Sequence, residues 1–248
     1  MVNPRFGPVQ KGTLTDAIIA AYGARENTER QYPDFRDVLG VVESRYAQEN
    51  KSVDTLIETL KDLAQFRLFW DHDVLEDPLS DLTRQTIIVD LHALPVLREL
   101  VAYLAIERLY KEMASLPDSA ISDGRREIRT VLVLDEAHNY LPQKNLFLQR
   151  VVREGRSKGV AVFFASQSPS DYAQKSFDFK ELLEFFFMFQ CDGLNAGDVQ
   201  ELLGCSPRAA RELQGDIPRL RPLEAVSKPM AKGPEYIRFT AEPFYKAY

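Results

Sequence analysis

Apolar residues in the first third of the chain recur at helical spacing. A short helix is predicted over residues 13–22, with Thr13 as its cap. Residues 34–48 set Phe35, Val38, Leu39, Val42 and Tyr46 on one stripe, and residues 53–66 do the same with Val53, Leu56, Ile57, Leu60 and Leu63. The polar stretch 25–32 reads as loop, and the acidic stretch 71–83, broken by Pro78, as turn. From residue 85 the period changes. Residues 85–90 (QTIIVD) predict a short strand, residues 94–113 a long helix with Leu97, Leu100, Val101, Leu104 and Leu109 inward, and residues 117–124 a polar connector ending in Asp-Gly. Residues 131–134 (VLVL), 160–165 (VAVFFA) and 184–190 (EFFFMFQ) follow as strands, the first apolar on both faces as in a central parallel strand and the second very apolar. Helices are predicted between them over 145–157 and 178–183. Two more short helices follow over 196–203 and 207–214, the second capped by Ser206, and a Pro-rich tail carries one strand-like piece at 235–239. Strands alternating with crossover helices predict an α/β fold, a mostly parallel sheet flanked by helices. The expected organisation is a helical region over 1–83, an α/β core over 84–218 and a tail over 219–248.

Composition narrows the function classes. The 248 residues are 45% apolar and 27% charged, enough for a substantial core and unlike a disordered chain. With 31 basic against 37 acidic residues the net charge is −6, so the basic signature of a free-standing nucleic-acid-binding module is missing. A ring motor touching DNA through a few loops remains compatible. Arg84, Arg125, Arg126, Lys175, Lys180 and Arg208 read as scattered surface charges. Cys191 and Cys205 have neither metal nor disulfide spacing, which predicts reduced cytosolic thiols. His72, His92 and His138 share no ligand spacing, so a zinc site is not expected. No signal peptide opens the chain and no apolar run approaches about 18 residues, so a soluble cytoplasmic protein without membrane contact is expected.

The chemistry concentrates in residues 129–139 (RTVLVLDEAHN), where an apolar run stops at Asp135 and Glu136. Carboxylates at the carboxyl end of a parallel strand stand where open α/β sheets bind ligands. A buried acid without a partner is costly, so its expected burial there calls for a counter-cation, usually Mg²⁺ with a nucleotide phosphate. This is the Walker B pattern of P-loop ATPases, an aspartate for the metal shell and a glutamate to polarise the attacking water. An acidic helix N-cap explains the same two residues without chemistry. The strand at 160–165 ends in Ser166-Gln167-Ser168-Pro169. Gln167, both donor and acceptor, suits bonding to the water or the γ-phosphate, though a polar residue opening a loop is common. Arg150, Arg153 and Arg156 lie about one helical turn apart on a shared face. Helix-dipole stabilisation accounts for part of that cluster. The functional alternative is an arginine finger reaching a neighbouring subunit, with Arg153 and Arg156 favoured over Arg150 and not separable from each other.

Together VLVLDEAHNYL (131–141), REGRSKGV (153–160) and VFFASQSPSD (162–171) resemble the HerA/FtsK superfamily of hexameric DNA-pumping ATPases, closest to its HerA-like branch. GPVQKGTLTDAI (7–18) and QTIIVDLHALP (85–95) extend the resemblance over about residues 7–190. It implies a RecA-like core, ATP and Mg²⁺ as cofactors, double-stranded DNA as partner, and a homo-oligomer, a hexameric ring. By the same resemblance Asp135 completes the Mg²⁺ shell, Glu136 is the catalytic base, Gln167 the γ-phosphate sensor, and Arg153 or Arg156 the finger in trans. The features are also similar to those of ATPases in phosphorothioation-dependent DNA restriction, which implies other restriction-complex subunits as partners.

One departure stands out. No G-x-x-x-x-G-K-[ST] loop occurs, and GPVQKGT (7–13) is not one, since its lysine precedes the glycine and no strand leads into it. In HerA-like proteins that loop lies upstream, so the expectation is the C-terminal part of a longer ATPase, an incomplete P-loop core with an N-terminal helical insertion, inactive alone. In this class the missing strand lies mid-sheet, between 160–165 and 184–190. Its absence predicts that the chain re-pairs across the gap or borrows a strand. His138 completes Asp-Glu-Ala-His, which invites a DEAH-box helicase; that family needs a Ser-Ala-Thr strand end and a GRxGR element in a second domain, and Gly155-Arg156 is misplaced for it. From another class comes a non-catalytic module that keeps the fold and docks partner proteins. A hydrolase of a different kind lacks any nucleophile–base pattern such as G-x-S-x-G.

Overall fold

The stripes predicted in the first third form three helices with caps written into the sequence. A computed structural model describes residues 6–26, 32–65, 86–92, 97–143, 145–175, 177–229 and 234–243. The chain divides into two units, Met1–Ser80 with His92–Leu100, and Asp81–Leu91 with Val101–Tyr248.

In the first unit, α1 spans Pro8–Arg25, α2 Phe35–Gln48 and α3 Thr55–Gln65. The first helix starts earlier than the Thr13 cap suggested. Pro8 at its first position has its φ pre-set for a helix, and Gln10 reaches back to the Gly7 N–H at 3.1 Å. Thr13 is buried inside the helix instead. Asp34 caps α2 through Arg36 N and Asp37 N, while Asp37 answers to Asp34 N, a reciprocal box. Asp54 begins α3 and joins all three helices. Its carboxylate accepts from Leu56 N at 3.0 Å, Ile57 N at 3.4 Å, Gln10 Nε2 of α1 at 2.7 Å and the Tyr46 hydroxyl of α2 at 3.0 Å. Ala17, Ala21, Val38, Val42, Tyr46, Leu56, Ile57 and Leu60 make the core. Val53 precedes α3 and is exposed rather than on its stripe. The turn expected at 71–83 lies outside the described residues.

The second unit carries α4, Arg98–Ser115, from Val101 onward, with a buried stripe of Ala102, Ile106, Leu109 and Met113. Leu104, expected inward, is only half-buried. The connector closes as a hairpin, β1 Ile121–Ser122 against β2 Arg125–Arg126, around Asp123 and Gly124, both at positive φ. Asp-Gly is the usual sequence for that turn. Next come β3 Thr130–Leu134, α5 Leu146–Lys158 and β4 Val160–Phe164. β3 and β4 pair in parallel from Thr130↔Val160 to Leu134↔Phe164. Asn145 caps α5 through Phe147 N and Leu148 N. Gly159 ends it at φ 77°, where a Cβ would stand 2.6 Å from Glu127 O, so only glycine fits. Leu148 and Val151 of α5 pack with Ile106 and Met113 of α4 and with Leu132, Leu134, Val162 and Phe164 of the strands. The opposite face of the pair bears Val131, Val133 and Phe163, exposed at 51%, 63% and 53%.

Several expected elements differ. Residues 86–90 form no strand; no ladder partner reaches them, and Ile88 is 89% exposed. The helix expected over 178–183 is a single turn in which Leu182 N and Leu183 N both donate to Phe179 O. It follows a small antiparallel pair, β5 Ala173–Gln174 and β6 Phe177–Asp178, and Phe177 and Phe179 are drawn into the core beneath β4. Within the stretch 184–190 only β7, Phe187–Met188, is strand, and it does not join β4. It pairs antiparallel with β8, Glu224–Ser227, which pairs with β9, Ile237–Thr240. Two segments of the expected tail thus complete this sheet. Helices α6 Ala196–Leu203 and α7 Pro207–Asp216 cover it, capped by Asn195 and Ser206. Val199, Leu203, Ala210, Leu213 and Ile217 pack on Met188 and Val226. The architecture is mixed helix and short sheets. Among the described residues one parallel pair stands where an extended parallel sheet was expected.

Candidate functional site

The carboxyl ends of β3 and β4 remain laced together beyond their last paired residues. Ala165 N donates to Leu134 O at 3.0 Å, and Ala137 N donates to Ala165 O at 2.7 Å. Asp135 and Glu136 therefore sit beside Ser166 and Gln167 at one rim. Asp135 Oδ1 accepts from the Glu136 N–H at 2.9 Å. Glu136 is held at φ 49°, ψ 47°, a left-handed conformation uncommon for a side chain of its size. The chain then makes one 3₁₀ turn, Ala137–Asn139, anchored by the wholly buried Ala137 and by Asn139, whose N–H and side-chain amide both donate to Glu136 O.

Across the strand pair Gln167 Nε2 donates to Glu136 Oε2 at 3.1 Å. The loop behind Gln167 is tied by Asp171, whose carboxylate accepts from the Ser166 hydroxyl and the Ser168 N–H. The Tyr172 hydroxyl donates to Phe164 O at 3.3 Å, and burial pushes its pKa up, with the Asp171 charge adding to the effect. His138, set aside on sequence, brings Nδ1 to 3.2 Å from the same Glu136 oxygen. Its place two residues beyond Glu136 was the available signal, but the contact depends on the turn.

The three arginines part company. Arg150 lies over the Tyr110 ring at 5.6 Å, and Arg153 over the Phe177 ring at 4.7 Å, both within cation–π range. Arg156 is exposed in the last turn of α5. None of the three ion-pairs with Asp135 or Glu136. Because α5 delivers the chain to the start of β4, Arg156 stands near the rim opposite Glu136. Five strand residues separate the two rims, roughly 16 Å. Within one chain it cannot serve the acids.

Both acids are exposed, so no buried charge demands a counter-cation here; Asp135 still suits Mg²⁺, a hard cation usually bound by one or two carboxylates together with phosphate oxygens and water. Among the described residues no group of three His, Cys, Asp or Glu side chains could hold a metal unaided. Three of the six scattered cations are engaged. Arg126 donates to Ser119 O and Ser157 O, Lys180 pairs with Glu201, and Arg208 with Glu212. Arg84 lies outside the described residues, and Arg125 and Lys175 are exposed. Burial pushes both free thiols, Cys191 and Cys205, above their ordinary pKa, which disfavours them as nucleophiles. Among the described residues no helix is long and apolar enough to cross a membrane.

Compared with known proteins, the chain matches no family model, and no curated protein matches it.

Proposed function

We propose that the chain supplies the Walker B, sensor and arginine half of the ATPase site of an ATP-driven DNA translocase or helicase. The phosphate loop comes from a segment outside these residues. The observation that carries the reading is the hydrogen bond from Gln167 to Glu136 across the paired ends of β3 and β4. It joins the proposed sensor to the proposed base at the rim where an α/β sheet takes its ligand. In this reading Asp135 contributes to the Mg²⁺ shell, and Glu136 orients the attacking water and accepts its proton. Gln167 reports the γ-phosphate to Glu136. Bound Mg-ATP supplies the scissile phosphoanhydride. The active form is a homo-oligomeric ring of RecA-like cores on double-stranded DNA, in a complex of phosphorothioation-dependent DNA restriction. The edge of β4, unpaired among the described residues, and the apolar face of Val131, Val133 and Phe163 accommodate the loop-bearing strand and its covering helix, since parallel sheets are covered on both faces. That same face favours the second reading, a module without turnover that docks another polypeptide.

Arg156 is the better finger, because Arg153 is committed to Phe177 within its own subunit. In the chain reunited with its phosphate loop, DNA-stimulated ATP hydrolysis is expected. Arg156→Ala should lower kcat by about 10³-fold or more, and Arg153→Ala far less. No hydrolysis by the reunited protein, with nucleotide bound, would replace the motor reading with the docking one. Loss on Arg153→Ala alone would reverse the assignment of the finger.

A further inference from the structure

Among the described residues Glu136 has two close side-chain neighbours, Gln167 of the ATPase pattern and one outside it. The other is His138. Its Nδ1 is sealed from solvent and makes no aligned hydrogen bond, yet Glu136 Oε2 stands 3.2 Å away. An unpaired buried ring nitrogen is costly. The imidazole's χ2 well is broad, so a modest ring rotation aims Nδ1–H at that oxygen.

We infer that His138 is a positioning residue for Glu136, closing with Gln167 a two-donor clamp on Oε2. Gln167 reaches the oxygen from the end of β4 at 3.1 Å, and His138 reaches it from the turn after β3. The turn is a firm support: Asn139 N donates to Glu136 O at 3.0 Å and Tyr140 N to Ala137 O at 2.9 Å. Two donors on one oxygen fix the plane of the carboxylate. Among the described residues nothing bonds the other oxygen, Oε1, which is left to face a water. A neutral imidazole can donate from Nδ1 only as the Nδ1–H tautomer, with Nε2 as the free acceptor. The clamp therefore dictates the tautomer. Its meaning for catalysis rests on the reading of Glu136 as the base; the contact itself does not.

The test has two arms. In the ¹⁵N-labelled chain, under alkaline conditions that leave the imidazole neutral, long-range ¹H–¹⁵N spectra should show the His138 proton on Nδ1. In Glu136→Ala, a change at an exposed side chain, the proton should redistribute to Nε2. The same tautomer in both proteins overturns the inference. In the ATPase reunited with its phosphate loop, His138→Ala should lower kcat by about 10–100-fold with KM unchanged, and His138→Asn, which keeps a donor, should recover part of the loss. An active ATPase whose kcat ignores His138→Ala overturns the inference and leaves the motor reading intact. An inactive wild type overturns the motor reading, and the tautomer still decides the contact.

Discussion

Replacing Glu136 by glutamine in the chain reunited with its phosphate loop is expected to lower kcat by about 10²–10⁴-fold, the range for removing a general base. Nucleotide binding should persist, because backbone amides and the lysine of a phosphate loop make most of the phosphate contacts. The substitution keeps the side chain's length and an acceptor oxygen, so the hydrogen bond from Gln167 survives in form. What disappears is the negative charge and the capacity to take a proton. Single-turnover hydrolysis with equilibrium nucleotide binding separates the two effects. Full turnover in the variant would remove Glu136 from the chemistry.

The second large effect concerns stability of the helical unit. Asp54→Ala removes the cap of α3 together with the bonds from Gln10 and Tyr46, and should destabilise this unit by about 2–4 kcal/mol. Burial by itself would raise the Asp54 pKa, but the hydrogen bonds from Gln10, Tyr46, Ile57 and Leu56 together outweigh it and hold the carboxyl below its ordinary value. A depressed folded pKa contributes stability above the unfolded value of about 3.9 and loses it as pH falls through the lower folded value. Asp54→Asn keeps a capping oxygen and lacks the charge. Denaturant unfolding should show a gap between wild type and Asp54→Asn at neutral pH that narrows on acidification below about pH 4. A constant gap would mean that the charge of Asp54 contributes nothing.

Much of this architecture is local and was legible as such. Ser206 caps α7 as expected, the helices expected over 34–48 and 145–157 begin at residues that turn out to cap them, Asp34 and Asn145, and the Asp-Gly ending the connector becomes a hairpin turn. The apolar runs 131–134 and 160–165 pair as parallel strands whose ends bring Glu136 and Gln167 together. The misreadings are non-local. Whether residues 86–90 become a strand depends on a ladder partner that their own pattern cannot specify. The pairing of Phe187–Met188 is decided by Glu224–Ser227, some forty residues on. The helix expected over 178–183 is held to one turn, with Phe177 and Phe179 drawn into the core. Likewise, spacing put three arginines on one face of α5 without revealing that Tyr110 and Phe177 would engage two of them. The role of His138 waited on the left-handed backbone at Glu136, which no periodicity encodes.

The most direct measurement is a crystal structure of this chain joined to its phosphate-loop segment, with Mg²⁺ and a non-hydrolysable ATP analogue bound. The account predicts the Asp135 carboxylate in the ion's shell, directly or through one water, and Glu136 facing the γ-phosphate with Gln167 beside it. A bound ion with both acids turned away from it would contradict the account.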